Sequence, residues 1–205
     1  MFEVLIIGGG VSGISCALIL GSALKKPFMA DKKIGVIAHQ KSSALQEAIF
    51  YNAYGIPAGT LGKDLLENSL KQLTTYYPEV AVIEDEKVLK IVKQPFGIEV
   101  FTNKNTYTAK NIVVATGNSN MFAIEGLMDY VIPHKKTNPE KQRIQLINDD
   151  NKVTEGIYVA GTLAGCRSQL SIAAGSGAAV ATDILTAINN GIPTQSHDSI
   201  KKEAF

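Results

Sequence analysis

The sequence predicts an α/β fold: a mostly parallel sheet with helices on both faces and a small antiparallel β-meander attached. Three observations carry this. Short apolar runs at residues 2–7, 34–38, 112–115 and 157–160 lack alternation, as strands buried on both faces of a parallel sheet do. Two of these runs pass directly into glycine, at Gly8 and Gly161, with helical sequence beyond. Residues 88–92 and 98–102 do alternate, as antiparallel strands with one wet face do. With 205 residues, 45% of them hydrophobic, the chain can build one full core and little more.

The elements follow in order. Residues 2–7 (FEVLII) form the first strand, Gly8-Gly9-Gly10-Val11-Ser12-Gly13 a glycine loop, and residues 14–24 a helix. Residues 4–24 carry no charge and have the length of a membrane span or a signal sequence. Glu3 stands where a secretory signal wants positive charge, and Gly8, Gly9, Gly10 and Gly13 break the apolar run in its first half, so the expectation is a soluble cytoplasmic protein with reduced thiols. Residues 34–38 (IGVIA) form a second buried strand. In residues 63–76, Leu66, Leu70 and Leu73 recur on one helical face. A third strand covers 80–83.

The meander strands 88–92 and 98–102 flank Gln94-Pro95-Phe96-Gly97, which suits a type I turn. Asn103-Lys104-Asn105 makes a second turn before 106–109, and a separate buried strand at 112–115 ends at Ala115-Thr116-Gly117. Residues 118–142 are polar and turn-rich. A buried strand at 157–160 and a small-residue helix at 171–188 complete a single domain over 1–190, and 191–205 reads as a mobile tail.

Charge is balanced, 20 Lys+Arg against 19 Asp+Glu, with no basic stripe; neither nucleic acid nor an anionic membrane is expected as a partner. Cys16 and Cys166 make neither a disulfide framework nor a metal site.

Strand, G-x-G-x-x-G, helix is the Rossmann-like dinucleotide-binding arrangement. Gly8 permits the tight turn, Gly10 the approach of a pyrophosphate, and Gly13 close packing of helix on strand. Val11 and Ser12 open the helix, whose N-terminal amides favour phosphate. The alternative is a packing loop in another α/β domain. The loop does not choose the dinucleotide. Where an acid usually binds ribose, at the end of the second strand, stand His39 and Gln40. That weakens the NAD reading and leaves FAD.

Three further segments resemble the FAD-binding domain of thioredoxin-reductase-like pyridine nucleotide–disulfide oxidoreductases. Residues 44–73 look like that family's segment after the second strand, with Gln46 and Asn52 where it places flavin-contacting side chains. Ala115-Thr116-Gly117 matches its ATG turn. Residues 154–181 (TEGIYVAGTLAGCRSQLSIAAGSGAAVA) look like its second FAD motif, placing Gly161, Thr162, Gln169, Leu170 and Ser171 at the cofactor. The resemblance also implies Val82, on the third strand, as a contact. It covers 1–117 and 143–190. It implies the FAD/NAD(P)-binding fold and a small FAD-dependent oxidoreductase; homodimers are common in the family.

The chain departs from the family in four places. Thr162 replaces the Asp that binds the ribityl chain, and Ser168 an Arg. The C-x-x-C is missing, so thioredoxin reduction by an internal dithiol is not expected. Residues 118–142 form a short connection where the family inserts its NADPH domain. The flavin would then be the sole redox centre, reduced by free NAD(P)H or by a separate electron-donor protein. Two alternatives stay open: a non-catalytic flavin-binding or partner-binding protein, and an NAD(P)-dependent dehydrogenase, although no Tyr-x-x-x-Lys pair is present.

Catalytic candidates are sparse. Cys166 lies in the loop between Gly161 and Gln169 and reads either as a redox thiol or as a small loop residue. Cys16 reads as core. His134, in the connection, reads either as a proton donor or as a solvated loop residue, with Lys135 and Lys136 as surface charges.

Overall fold

The computed structural model describes residues 1–39 and 43–198. In chain order the elements are β1 (Phe2–Ile7), α1 (Val11–Ala23), β2 (Ile34–Ala38), β3 (Ile49–Phe50), β4 (Thr60–Leu61), α2 (Gly62–Tyr76), β5 (Ala81–Glu84), β6 (Val88–Gln94), β7 (Gly97–Thr102) and β8 (Thr106–Val114). Then come β9 (Val131–Pro133), β10 (Ile144–Leu146), β11 (Lys152–Thr154), β12 (Ile157–Val159) and α3 (Leu170–Ile188).

The α/β, Rossmann-like class holds. Strands β5, β2, β1, β8 and β12 lie side by side and parallel, with β11 antiparallel at the β12 edge. β1 is flanked by β2 and β8, so both its backbone edges are paired, and its apolar side chains alternate between the two faces of the sheet. Val4 and Ile6 pack with Ile34, Val36 and Val113 on one face; Leu5 and Ile7 pack with Ile37, Ile112 and Val114 on the other.

The helices are distributed differently from the expectation of both faces. Leu20 of α1, Leu73 of α2, and Val180 and Ile184 of α3 all join the first of these clusters. The opposite face is covered by Ile91, Ile98 and Val100 of the meander, together with Ile124, Leu127 and Leu146. The alternating strands β6 and β7 put one apolar side onto the sheet and so take the place of a second helical layer.

Two further expectations are corrected. The strands foreseen at 106–109 and 112–115 are one strand, β8. Its first half pairs with β7 (Phe101 opposite Thr106, Ile98 opposite Ala109), and its second half runs between β1 and β12. The polar-looking connection is an ordered cover. Glu125 pairs with the edge of β6 through Ile91 N–H to Glu125 O (2.9 Å) and Glu125 N–H to Leu89 O (2.9 Å). Beyond it, β9 and β10 form an antiparallel hairpin.

The meander is tied by Glu86, only 5% exposed. Its carboxylate accepts hydrogen bonds from Thr102 Oγ1 (2.6 Å), Asn105 Nδ2 (2.6 Å) and Tyr107 OH (2.9 Å). These donors, Thr102 foremost, hold the carboxyl below the usual carboxylate range against the opposing effect of burial.

Past α3 the chain is tethered rather than loose as far as Asp198. Thr194 is buried, Asn189 Nδ2 donates to its hydroxyl (3.0 Å), Ser22 Oγ bonds Ser196 Oγ (2.7 Å), and Tyr77 OH bonds Asp198 (3.0 Å). Among the described residues α3 is long and apolar enough to cross a membrane by length and composition, and here it packs along α1.

Candidate functional site

The parallel strands all end at one edge of the sheet. The chain moves outward from β1 through β2 to β5, then returns to add β8 on the other side of β1. This reversal makes the crevice beyond β1 and β8 a topological switch point, where open α/β sheets bind ligands. The glycine loop follows β1 there, Thr116 and Gly117 follow β8, and Gly161 follows β12.

The packing of these segments explains their glycines. Gly8 has φ +120°, and a Cβ on it would meet the Ala115 carbonyl oxygen at 2.4 Å, so the first loop lies directly on the Ala115-Thr116-Gly117 turn. Gly13 leaves room for the Gly8 carbonyl, which an added Cβ would meet at 1.8 Å. Gly10 behaves differently: nothing lies within 4 Å of a Cβ built there. Gly10 therefore faces open space at the N-cap of α1, where no side chain caps the helix. That is the arrangement in which a phosphate can approach the helix amides.

The second motif reaches the same place. A Cβ on Gly161 would meet Ser12 Oγ at 2.6 Å, and one on Gly177 would meet the Ser12 carbonyl at 2.0 Å. Gly161 N–H donates to Ser176 Oγ (2.9 Å), and Ser15 Oγ donates to the Ala174 carbonyl (2.8 Å). Gly161, Thr162, Leu163 and Ala164 form a 3-10 turn closed by Gly165 in the left-handed conformation. Gln169 is the N-cap of α3, again without a side-chain cap, so two helix N-termini open toward this end of the sheet. Among the described residues, no group engages the Thr162 hydroxyl.

The remaining predicted residues are spread around this junction. His39 is exposed just past β2, and Val82 is half-buried on β5 beside Val36. Gln46 is exposed in a 3-10 turn, and Asn52 is exposed between β3 and β4. Gln40 lies outside the described residues. Cys166 is half-buried, and its N–H donates to the Gly161 carbonyl (3.3 Å). Cys16 is fully buried in the α1 core, where burial pushes its thiol up and makes it inert. Both cysteines are free.

His134 is not a solvated loop residue: it is 6% exposed. Its contacts belong to the β9–β10 hairpin, with His134 N–H donating to the Arg143 carbonyl (2.8 Å) and Nδ1 accepting from the Lys136 amide (3.1 Å). Sequence reasoning missed Ser15, Ser176 and Gln145. The first two are hydroxyls among the small residues of α1 and α3, and nothing in the sequence sets them apart from Ser12, Ser22 or Ser171. Gln145 lies against Gly165, where an added Cβ would meet its side chain at 2.9 Å; nothing local marks it.

Comparison with known proteins agrees with this architecture. Residues 2–177 match the family model of the pyridine nucleotide-disulphide oxidoreductases, and the chain belongs to that family, whose members are typically FAD flavoproteins. Within it, the chain is 31% identical over 121 residues to ferredoxin–NADP reductase 2 of Listeria welshimeri, a match covering 58% of this chain and 35% of the relative. It is 30% identical over 122 residues to a ferredoxin–NADP reductase of Streptococcus pyogenes, covering 57% and 35%. The matched segment thus spans about a third of the length of these curated relatives. Among solved structures, a thioredoxin reductase from Gloeobacter violaceus superposes with a TM-score of 0.72 at 14% identity, over 97% of this chain and 98% of that one. An oxidoreductase from Agrobacterium tumefaciens gives 0.70 at 14% identity, over 92% and 99%. At these identities the structural likeness speaks for the fold.

Proposed function

We propose that the protein is a small FAD-dependent oxidoreductase whose flavin is its sole redox centre. The observation that carries this reading is the meeting of Gly8–Gly13, Ala115–Gly117 and Gly161–Gly177 at the switch point, with open space over Gly10. The residues present fit the cofactor. The amides of Val11, Ser12 and Gly13 would hold the pyrophosphate, with Gly10 letting it close on the backbone. His39 and Val82 would flank the adenosine end, and Gln40 belongs to the same assignment. Thr162 offers its hydroxyl to the ribityl chain in place of a carboxylate. Gln46, Asn52, Thr116 and Gly117 would border the flavin, and the amides of Gln169, Leu170 and Ser171 would meet its pyrimidine edge. FAD when bound supplies reversible two-electron chemistry. The N-terminus of α3 then favours negative charge beside it.

The electron source lies outside the described domain, as free NAD(P)H or a separate donor protein. Cys16 is sealed in the core, so the two cysteines cannot serve as a dithiol. The same reading places the protein in the cytoplasm. The test is an absorption spectrum of the purified protein with and without added FAD, followed by anaerobic NADH and NADPH. Uptake of FAD and bleaching by a nicotinamide donor is the expected result. Colourless protein that takes up no FAD overturns the proposal. Bound flavin that no donor reduces replaces it with a non-catalytic flavoprotein.

A further inference from the structure

Ser12 is the second residue of α1 and is only 8% exposed. Its backbone faces α3: a Cβ on Gly177 would meet the Ser12 carbonyl oxygen at 2.0 Å. Its side chain points at Gly161, the first residue past the Ala160 that ends β12; a Cβ there would meet Ser12 Oγ at 2.6 Å and Ser12 Cβ at 3.1 Å. The hydroxyl thus stands between the glycine loop and the second motif, at the switch-point end of the sheet.

Among the described residues nothing hydrogen-bonds this hydroxyl. Its neighbours differ. Ser15 Oγ donates to the Ala174 carbonyl (2.8 Å), and Ser176 Oγ accepts from the Gly161 N–H (2.9 Å). A polar group nine-tenths buried is ordinarily paired, because burial strips its water without return. Nor is Ser12 Oγ sealed: among the described residues the side-chain polar atom that lacks both solvent and a partner is His134 Nε2. Ser12 Oγ therefore keeps an opening. The open ground beside it is the head of α1, where nothing lies within 4 Å of a Cβ on Gly10 and no side chain caps the helix.

A hydroxyl can donate or accept, and its setting decides which. The first turn of α1 holds no acidic residue, and its free amides favour an anion. An O–H beside those amides adds one more donor to the same anion. We propose that the Ser12 hydroxyl donates to a phosphoryl oxygen of the dinucleotide's pyrophosphate, so that α1 grips it with a side chain as well as with its amides. This rests on the FAD reading above and extends it to a side-chain contact. Because the hydroxyl has no protein partner, its removal takes nothing from the empty fold, and its whole effect falls on the ligand.

The test compares the parent, Ser12→Ala and Ser15→Ala as full chains. Calorimetry measures the binding of FAD and of ADP-ribose, which carries the pyrophosphate without the flavin. The ³¹P resonances of bound FAD report the contact, and urea unfolding without ligand reports the fold. Ser12→Ala should unfold no more easily than the parent and should shift the ³¹P resonances. It should weaken both ligands about ten-fold or more, as the loss of a hydrogen bond to a charged group does. Ser15→Ala, which loses a bond to protein, should unfold more easily and leave the ³¹P resonances in place. FAD affinity equal to the parent's in Ser12→Ala, or unmoved ³¹P resonances, overturns the proposal. A ligand-free Ser12→Ala less stable than the parent also overturns it, since the hydroxyl would then serve the fold. Weakened FAD with unchanged ADP-ribose takes the contact off the pyrophosphate and overturns it too. A parent that binds neither ligand is a different result: it overturns the FAD reading itself, and this proposal with it.

Discussion

Replacing Gly177 by alanine tests the crossing on which the candidate site depends. The new Cβ would stand 2.0 Å from the Ser12 carbonyl oxygen, 2.8 Å from its carbon and 3.0 Å from Ser12 Cα, all backbone atoms of α1. No side chain can rotate away, so α1 and α3 must part by about 1.4 Å to restore ordinary contact at 3.4 Å. Overpacking of this kind costs about 1–3 kcal/mol. Alanine in place of glycine inside a helix returns about 1 kcal/mol. The net expectation is a loss of up to about 2 kcal/mol and a fall in Tm of up to about 8 °C for a domain of this size. Gly175→Ala supplies the contrast: it lies on the same helix, and nothing stands within 4 Å of its Cβ. It should gain up to about 1 kcal/mol from helix propensity alone. Urea unfolding of the two variants and the parent, without FAD, measures the gap. A Gly177→Ala protein as stable as Gly175→Ala would refute the close crossing of α1 and α3.

Other expectations follow from the same contacts. Gly10→Val fills the open space at the head of α1 and should abolish FAD uptake while leaving the unfolding free energy within about 1 kcal/mol of the parent; unchanged FAD affinity of the folded variant would show that the space is not the pyrophosphate site. Glu86 has a folded pKa below its unfolded value, so its contribution to stability is complete above the ordinary carboxylate pKa near about 4.3 and is lost as pH falls through the lower folded value. Urea midpoints measured down this range should decline more steeply for the parent than for Glu86→Gln, and parallel profiles would contradict the assignment. Ser176→Ala removes the acceptor of the Gly161 amide and should destabilise by about 1–2 kcal/mol, with weaker FAD binding as the companion readout.

The buried strands are legible because their signal, an unbroken apolar run ending at a turn, is local. FEVLII and IGVIA need only their own composition to announce buried strands, and the glycine loop needs only its spacing. Lys110 and Asn111 interrupt the apolar run of β8, so the sequence predicts two strands, although the backbone continues through them from one set of partners to another. The β9–β10 hairpin was invisible for a related reason. Each strand has three residues, and their pairing depends on Ile132 meeting Gln145 across an intervening turn-rich loop. His134 looks solvated beside Lys135 and Lys136, since burial is decided by what the hairpin folds over. Nothing local in the alternating strands β6 and β7 announces that they cover a sheet face, so the sequence predicts helices on both. At the site, the spacing of the loop already assigns Gly13 to close packing and Gly10 to the approach of a phosphate; the structure adds that Gly8, Gly161 and Gly177 also make room for protein atoms, while nothing stands over Gly10.

The bond from Ser15 to Ala174 joins residues 159 positions apart. On the ribosome, α1 emerges well before α3, the helix that covers it. β1 likewise waits for β8 before its second edge is paired. The nascent chain must therefore carry an apolar helix and an open strand edge until β8 and α3 have emerged, and the contacts at Ser12, Gly161 and Gly177 can close only then. A cofactor held at that junction would act as the clasp of a fold whose entropic cost of closure is concentrated in its final step.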